Sequence, residues 1–448
     1  MSGRVQRSPN PSRVGFPLTR RKFLVGGASA VGAAAVLAAC GSDDESTDTG
    51  AGDDGSGAFE MGTASGTVRV GSNYSDAKPN EALKAVLDSF PNENVTIELN
   101  EVDHNTYQEQ IVAYMQDPPD DVAPWFAAYR LVPLASAGLL MDISDVWTGM
   151  LDDVLSGGFK QASTYDGKQY LVPWTFYSWG IHYRKSVWDS VGATPPEDWD
   201  GLLALCNELQ GQGITPFASG NDGRWPAMGT FDQINFRLNG YQYHVDLMAG
   251  NESWTDDRTK EVFARWAEIL PFHQENPNGR EWQDAGQALV DGEVAMMTIG
   301  NFVGDLFPAE ELDDLDFFPF PTLNDEHGQD TVEAPIDGWV VVAEPANEAA
   351  AKEVVAYMGT ADAQNTYLSI APGVQAPAEG VDTSAYNALQ QKSAELVQNA
   401  ANVTQFLDRD TLPAFANEAG QAFADFLNDP SGIDAILEDL QSKAEALL

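Results

Sequence analysis

"LVPWTFYSWGIHYR", Leu171 to Arg184, places five aromatic rings and an imidazole in fourteen residues. As a strand, the run sends successive side chains to opposite faces, Trp174 and Phe176 to one and Tyr177, Trp179 and Tyr183 to the other. Neither face is polar enough for open water. The segment is therefore either a strand buried on both sides or one that presents rings to a ligand. It divides into two strands in succession, "QYLVPW" and "SWGIHYR", consistent with a crossing between two lobes.

Strands and helices alternate around this run, the pattern of α/β domains. "TVRVGS" (67–72) reads as a strand, and Leu83, Val86, Leu87 and Phe90 give helical spacing behind a Pro79-Asn80 start. "NVTIELN" alternates apolar and polar residues, a helix is expected over 104–116, and "PPDDVAPWF" (118–126) turns into a short strand. Beyond the aromatic run, a helix over 197–210 starts at "TPPE", read as a capping box, with Trp199, Leu202, Leu203, Cys206 and Leu209 on one face. Further strands are expected at "ITPFASG", "EVAMMTIG" and "GWVVVAE". A helix carries Phe263, Trp266, Ile269 and Leu270, and helices follow residue 380 to the end. The sequence shows no internal repeat.

Residues 1–39 hold six basic side chains and no acidic ones, with Arg20 and Arg21 ahead of an Ala/Gly-rich apolar run that ends in "LAAC" at Cys40. This reads as an export signal. The paired arginines resemble a twin-arginine signal, and Leu37-Ala38-Ala39-Cys40 resembles a lipobox with Cys40 as the lipidated residue. The alternative, a membrane anchor over Phe23 to Ala39, has only 17 residues, rich in Gly and Ala. The stretch 40–65 is acidic and Gly/Ser-rich and reads as a flexible tether. The remaining body of about 380 residues favours two lobes over one core.

Losing the six basic residues of the signal from a total of 24 leaves 18 against 68 acidic, moving the formal charge from −44 to −50. Nucleic acid and anionic headgroups are both repelled, so the lipid on Cys40 is the expected membrane attachment. With Cys40 lipidated, Cys206 has no disulfide partner and reads as a small core residue. The five histidines include no pair at i, i+4. No C-x-x-C, EF-hand loop, phosphate cradle, dinucleotide turn or nucleophile elbow is present, so neither a metal nor a cofactor is expected. A glycosidase needs only two carboxylates across a cleft, which counting 68 acids leaves open.

Aromatic residues beside polar ones stand out instead. "APWFAAYR" has Trp125, Tyr129 and Arg130; "NDGRWP" has Trp225; "GNFVGD" has Asn301 and Phe302; "IDGWV" has Asp337 and Trp339; "FLDRD" has Asp408, Arg409 and Asp410. A sugar presents an apolar C–H face edged by hydroxyls, so it calls for a flat ring over the face and Asp, Asn or Arg at the edge. Each has a plainer reading: Trp339 packs in a buried strand, and Asp410 caps the helix of "TLPAF".

From about Thr67 onward the chain resembles the extracellular sugar-binding proteins of ATP-binding cassette importers, the bacterial family that includes maltodextrin-binding proteins. The stretches that carry the resemblance are "SGTVRV", "PPDDVAPW", "LASAGLLMDISD", "YDGKQYLVPWTFYSWGIHYRKSVWDSVG", "PPEDWDGLLALCNEL", "GQALVDGEVAMMTIGNF", "FFPFPTLND", "IDGWVVV" and "TQFLDRDTLPAF". "GSNYSD", with Tyr74, departs from the family's cluster after the first strand, and Phe302 stands where a Trp is common. The resemblance implies an α/β fold of two lobes joined by crossing segments, a sugar between them, and no chemistry done on it. The lobes are expected over 66–172 plus 300–365 and over 173–299 plus 366–448, with a helical C-terminal portion. Tyr74, Trp125, Tyr129, Arg130, Trp174, Phe176, Tyr177, Trp225, Asn301, Phe302, Asp337, Trp339, Asp408, Arg409 and Asp410 form the expected ligand-binding set, with Trp174 and Tyr177 facing the cleft. The implied partners are a carbohydrate ligand and a membrane permease that takes the sugar from the closed form of a monomer held at the outer face of the cytoplasmic membrane. The rival expectations are a secreted glycosidase and a binding protein for a polyol or peptide.

Overall fold

The computed structural model describes residues 59–448. Arg20, Arg21 and Cys40, and with them the export signal and lipid site, lie outside the described residues. The tether expected to reach residue 65 ends earlier: Ala64 is buried, and the Thr63 and Ala64 amides both donate to the Glu353 carboxylate at 2.7 Å. Among the described residues no helix is long and apolar enough to cross a membrane.

Two sheets form two lobes. The first has five strands: β1 (Gly66–Ser72), β2 (Val95–Glu101), β3 (Val122–Phe126), β4 (Val172–Phe176) and β9 (Ile336–Val341), in the order β2-β1-β3-β9-β4. β1 runs parallel to β2 and β3, with Gly66 opposite Val95 and Val70 opposite Val122, while β9 is antiparallel to β3 and β4. The second has four: β5 (Trp179–Arg184), β6 (Thr215–Phe217), β7 (Val294–Gly300) and β8 (Leu315–Phe318), in the order β8-β5-β7-β6. β7 is buried along its whole length, as its unbroken run "VAMMTIG" requires for a strand covered on both faces.

The quoted run thus supplies one strand to each sheet, and Tyr177-Ser178 is the crossing between them. Strand membership moves the expected boundaries. β4 pairs within the first sheet, so the first lobe extends past residue 172, and β8 pairs with β5, so residues 300–318 belong to the second lobe. Helix Ala361–Leu368 leans on the first lobe through Tyr367, whose ring meets Tyr74 and Trp174. The helices Pro413–Asn428 and Ile433–Leu447 cover the second, with Phe423 against Phe231 of the long helix Trp225–Met248.

Several local expectations change. Helix Ala77–Asp88 starts two residues before the Pro79 start, and helix Trp199–Gly211 is capped by Asp198, which accepts the Gly201 amide, not by a box at "TPPE". Cys206 is fully buried on that helix, and burial pushes its thiol up to about 12. No helix is expected over 225–248, yet the longest helix among the described residues, Trp225–Met248, stands there. Arg224, at φ 63°, turns the chain into it, and Gly240, at φ 77°, interrupts it.

Candidate functional site

A cavity of about 200 Å³ lies between the lobes, at the Tyr177-Ser178 crossing. The ends of β1, β3, β4 and β9 and helix Ala77–Asp88 wall one side, with the first turns of helix His104–Gln116. The start of β5, the N-terminus of the long helix, Trp282 and the segment after β7 wall the other. Hydrogen bonds cross the cleft. The Lys78 ammonium donates to the Phe307 carbonyl at 2.6 Å, and the Gln283 amide donates to Asp76 at 2.9 Å.

The first lobe's wall is polar. Asn73, Asp76, Lys78, His104, Gln108, Thr175 and Asp337 reach the cavity, with Tyr74, Trp125, Phe126 and Tyr367 between them. The turn Leu407–Asp410 joins this wall. Arg409 pairs with Asp337 at 2.8 Å, donates to the Tyr177 hydroxyl at 3.2 Å, and lays its guanidinium 3.9 Å from the Phe126 ring centre. That ring contact adds cation–π attraction to the ion pair. Asp408 is held from behind by Arg130, which donates to its carbonyl at 2.7 Å.

The second lobe's wall is aromatic: Tyr177, Trp179, Trp225, Trp282, Phe302 and Phe406, with Asp305 at its end. Trp179 stacks on Phe406 at 5.0 Å and meets Trp225 edge-on at 6.3 Å, while Phe302 meets Tyr177 and Trp282 edge-on at 5.0 and 5.1 Å. These tilted and offset geometries are the ones the ring quadrupoles favour. Two glycines make the wall possible. A Cβ on Gly229 would stand 2.2 Å from the Trp179 ring, and one on Gly300 would stand 2.5 Å from Phe302.

The cavity changes its ionisable groups. Burial raises the Asp337 carboxyl, against the opposing pull of Arg409. Asp305, whose Oδ1 accepts the Gly373 amide at 2.9 Å, is pushed up to about 7, again by burial. His104, set between the amides of Asn73 and Gln108, is lowered by burial and stands neutral at pH 7.

Of the expected set, the structure places Tyr74, Trp125, Tyr177, Trp225, Phe302, Asp337, Asp408 and Arg409 on the cavity wall. The others stand elsewhere. Trp174 and Trp339 are fully buried behind Tyr74 and Tyr367: Trp174 meets Tyr367 at 5.1 Å, and Trp339 meets Tyr74 at 6.0 Å. The strand's alternation sends Thr175, not Trp174, to the cavity. Phe176 points back against Phe159, and Arg130 sits beneath Trp125, whose indole N–H donates to its carbonyl. Tyr129 is half-buried outside the cavity lining. Asn301 is buried against His182 at 3.0 Å. Asp410 neither lines the cavity nor caps a helix; it pairs with His244 and accepts the Thr404 hydroxyl.

The residues missed fall into two kinds. Asn73, Trp179, Phe406 and Asp305 stand inside quoted stretches, one to three places from residues singled out. His104, Gln108, Trp282 and Tyr367 come from helices with no local signal, and only the fold brings them together.

The sequence profile of the bacterial extracellular solute-binding proteins matches residues 75–365. The chain belongs to that family. An uncharacterized ABC transporter extracellular-binding protein of Pyrococcus horikoshii is 25% identical over 396 residues, 84% of this chain and 88% of its own length. A second such protein from that organism is 27% identical over 274 residues, but this chain spans only 60% of its length. A probable sugar-binding periplasmic protein of Rhizobium meliloti is 27% identical over 170 residues, 37% of this chain and 41% of that protein. Among solved structures, the solute receptor AcbH, described as exclusive for β-D-galactopyranose, is 38% identical with a TM-score of 0.83, covering 86% of this chain and 99% of the receptor. The maltose-bound MalE3 of T. maritima, at 16% identity, has the same two-lobed fold with a TM-score of 0.72, over 85% of this chain and all of that one. The α/β two-lobed architecture of solute-binding proteins is thus the fold of this chain.

Proposed function

We propose that this solute-binding protein is the sugar receptor of an ATP-binding cassette importer, and that its cargo is a neutral sugar of monosaccharide size. The observation that carries this reading is an interlobe cavity with a ring-covered wall facing a hydrogen-bonding wall. Six aromatic side chains offer flat surface to a pyranose face, and the Asp337–Arg409–Tyr177 chain, with Asp408, His104 and Asn73, offers partners to its hydroxyls. The size of about 200 Å³ lies below the ~300–1,000 Å³ of sites for larger ligands, which supports a single ring. The likeness to a galactose receptor supports the same scale, with β-D-galactopyranose as the first ligand to try.

The open form exposes both walls. A sugar that touches both favours closure, because only the closed form lets it use every contact, and the closed shape is what a permease reads. In this reading Cys40 carries the lipid that keeps the receptor, a monomer, at the outer face of the cytoplasmic membrane, after twin-arginine export. Thermal melting against galactose, other monosaccharides, disaccharides and oligosaccharides, with each sugar assayed for hydrolysis, tests the reading. A ligand at 100 times its dissociation constant adds about 2.7 kcal/mol, a shift of several degrees. A shift from monosaccharides recovered intact supports the receptor; cleavage of any glycoside would move the protein to the glycosidases, and a flat response to every sugar would reject a sugar cargo.

A further inference from the structure

The turn Leu407–Asp410 brings Asp408 and Arg409 to the cavity, and it is held from behind by ionisable groups that the cavity does not touch. The long helix supplies two of them, Asp232 and His244, both fully buried and on either side of the break at Gly240. Asp232 accepts the Leu407 amide at 2.8 Å. His244 stands between two carboxylates, 3.6 Å from Asp232 and 3.2 Å from Asp410. Asp410 also accepts the Thr404 hydroxyl at 2.7 Å, and Gln233, next to Asp232, donates to the buried Glu333 at 2.8 Å.

We infer that Asp232 and His244 are positioning residues for capture: through the Leu407 amide and the Asp410 carboxylate they set the pose of the turn that presents Asp408 and Arg409. This rests on the reading of the cavity as a sugar site. Two carboxylates this close need a proton between them, because a buried unpaired charge is strongly disfavoured. Burial pushes Asp232 up, to about 8. It lowers His244, but the carboxylates on either side outweigh it and leave the imidazole raised. The other charged groups around the cluster are Asp408 and Arg409 from the turn, Glu333 from the strand Thr331–Glu333, and Arg237 from the long helix, which donates to the Phe320 and Thr331 carbonyls. Helix Asp257–Ile269 brings Arg258, over the Tyr243 ring at 4.0 Å. Glu333 is itself raised, by burial first and by Asp232 next, so protons on Asp232, His244 and Glu333 offset the negative charge of the cluster. Asp232 and His244 both hold their protons to higher pH than usual, so the cluster keeps its charge balance at low pH and loses it as those protons leave, and capture weakens in the alkaline direction.

The test is the dissociation constant of galactose from pH 6.5 to 9 for the wild type, D232N and D232A. It is joined by amide exchange of the segment 407–411 in the sugar-free proteins at one pH. The wild type is expected to lose at least fivefold in affinity across the range. D232N keeps an acceptor for Leu407 but removes the carboxyl that exchanges protons with His244, so its affinity falls about threefold at pH 6.5 and the midpoint of its pH-dependent decline moves. D232A loses the acceptor, weakens binding about thirtyfold, and exchanges the segment about tenfold faster. A flat wild-type profile, or unchanged exchange in D232A, overturns the inference. A purely structural role would lower the melting temperature without moving the midpoint of the pH profile, and that result also rejects it. If galactose fails to bind the wild type at pH 6.5, the galactose assignment falls, while the exchange measurement still decides whether Asp232 holds the turn.

Discussion

The two walls of the cleft are built on opposite principles. On the first lobe, polar groups are already paired with one another before any ligand arrives: Arg409 with Asp337 and Tyr177, His104 with Asn73 and Gln108, Asp408 with Arg130. On the second, Trp179, Trp225, Trp282, Phe302 and Phe406 brace each other ring against ring, with glycines beneath two of them. A paired polar wall is rigid and selective, since a ligand with misplaced hydroxyls leaves buried groups unsatisfied at about 1–3 kcal/mol each. A ring wall is tolerant, because one flat face suits many pyranoses. Selectivity, and the larger share of affinity that comes with it, then belong to the first lobe, and a smaller share common to all sugars belongs to the second.

The sharpest way to break that division is Arg409→Ala. It strands Asp337 on the cavity wall while Asp408 keeps Arg130, and loss of one partner from a buried pair costs about 3–5 kcal/mol, less for the part-exposed Asp337. Sugar binding is expected to vanish in calorimetry, with a lowered urea midpoint. Binding within tenfold of wild type would show that the polar wall does not set affinity. Trp174→Ala is the matched control. The ring is fully buried beneath the same wall, so about 3–5 kcal/mol of stability should go while the surviving folded fraction binds sugar at near-normal affinity. Equal losses of affinity in the two variants would mean that Tyr74 and Tyr367 transmit packing directly to the site.

Asp305 tests the one acid on the ring wall. Its carboxyl is raised to about 7, so folding favours the protonated form: stability is greatest below the unfolded value near 4 and falls as pH rises toward 7. Its exposed surface faces the cavity, where water screens the carboxylate, so the decline is about 1–2 kcal/mol. Asp305→Asn keeps an acceptor for the Gly373 amide and should remove that part of the slope, leaving the variant more stable than wild type at pH 8. Urea midpoints at pH 5 and 8 measure it.

How far the sequence carried this picture differs between the walls. The fold was legible where the chain is locally consistent: the helix over 104–116, the buried run at 294–300 and the two successive strands at 172–184 all stand where the sequence pattern puts them. The rings were legible as a class, because clustered aromatics in polar surroundings have few uses. Which ring faces the ligand was not. Alternation alone sends Trp174 and Trp179 to opposite faces, but which face meets the cavity is set only by the two sheets that the run enters on either side of Tyr177-Ser178. The polar wall was least legible, since Asn73, His104 and Asp337 meet only through the parallel and antiparallel pairings of β1, β3 and β9.

Trp225 offers the smallest and most discriminating change. It opens the long helix after Arg224, whose φ of 63° turns the chain so that the indole faces the cavity, and it touches Trp179, Trp282, Phe302 and Phe406 at 6.0–6.4 Å. Its half-buried ring contributes little to the core, so Trp225→Ala should cost stability only about 1 kcal/mol, while affinity falls about tenfold, equal to about 1.4 kcal/mol. Trp225→Phe should recover about half of that loss, because a smaller flat ring remains. If the wall is tolerant, every sugar that binds is weakened by the same factor, and the ranking of sugars by affinity does not change. A change in that ranking would place selectivity on the ring wall too, and the division of labour between the lobes would have to be redrawn around the edge of the Trp225 indole.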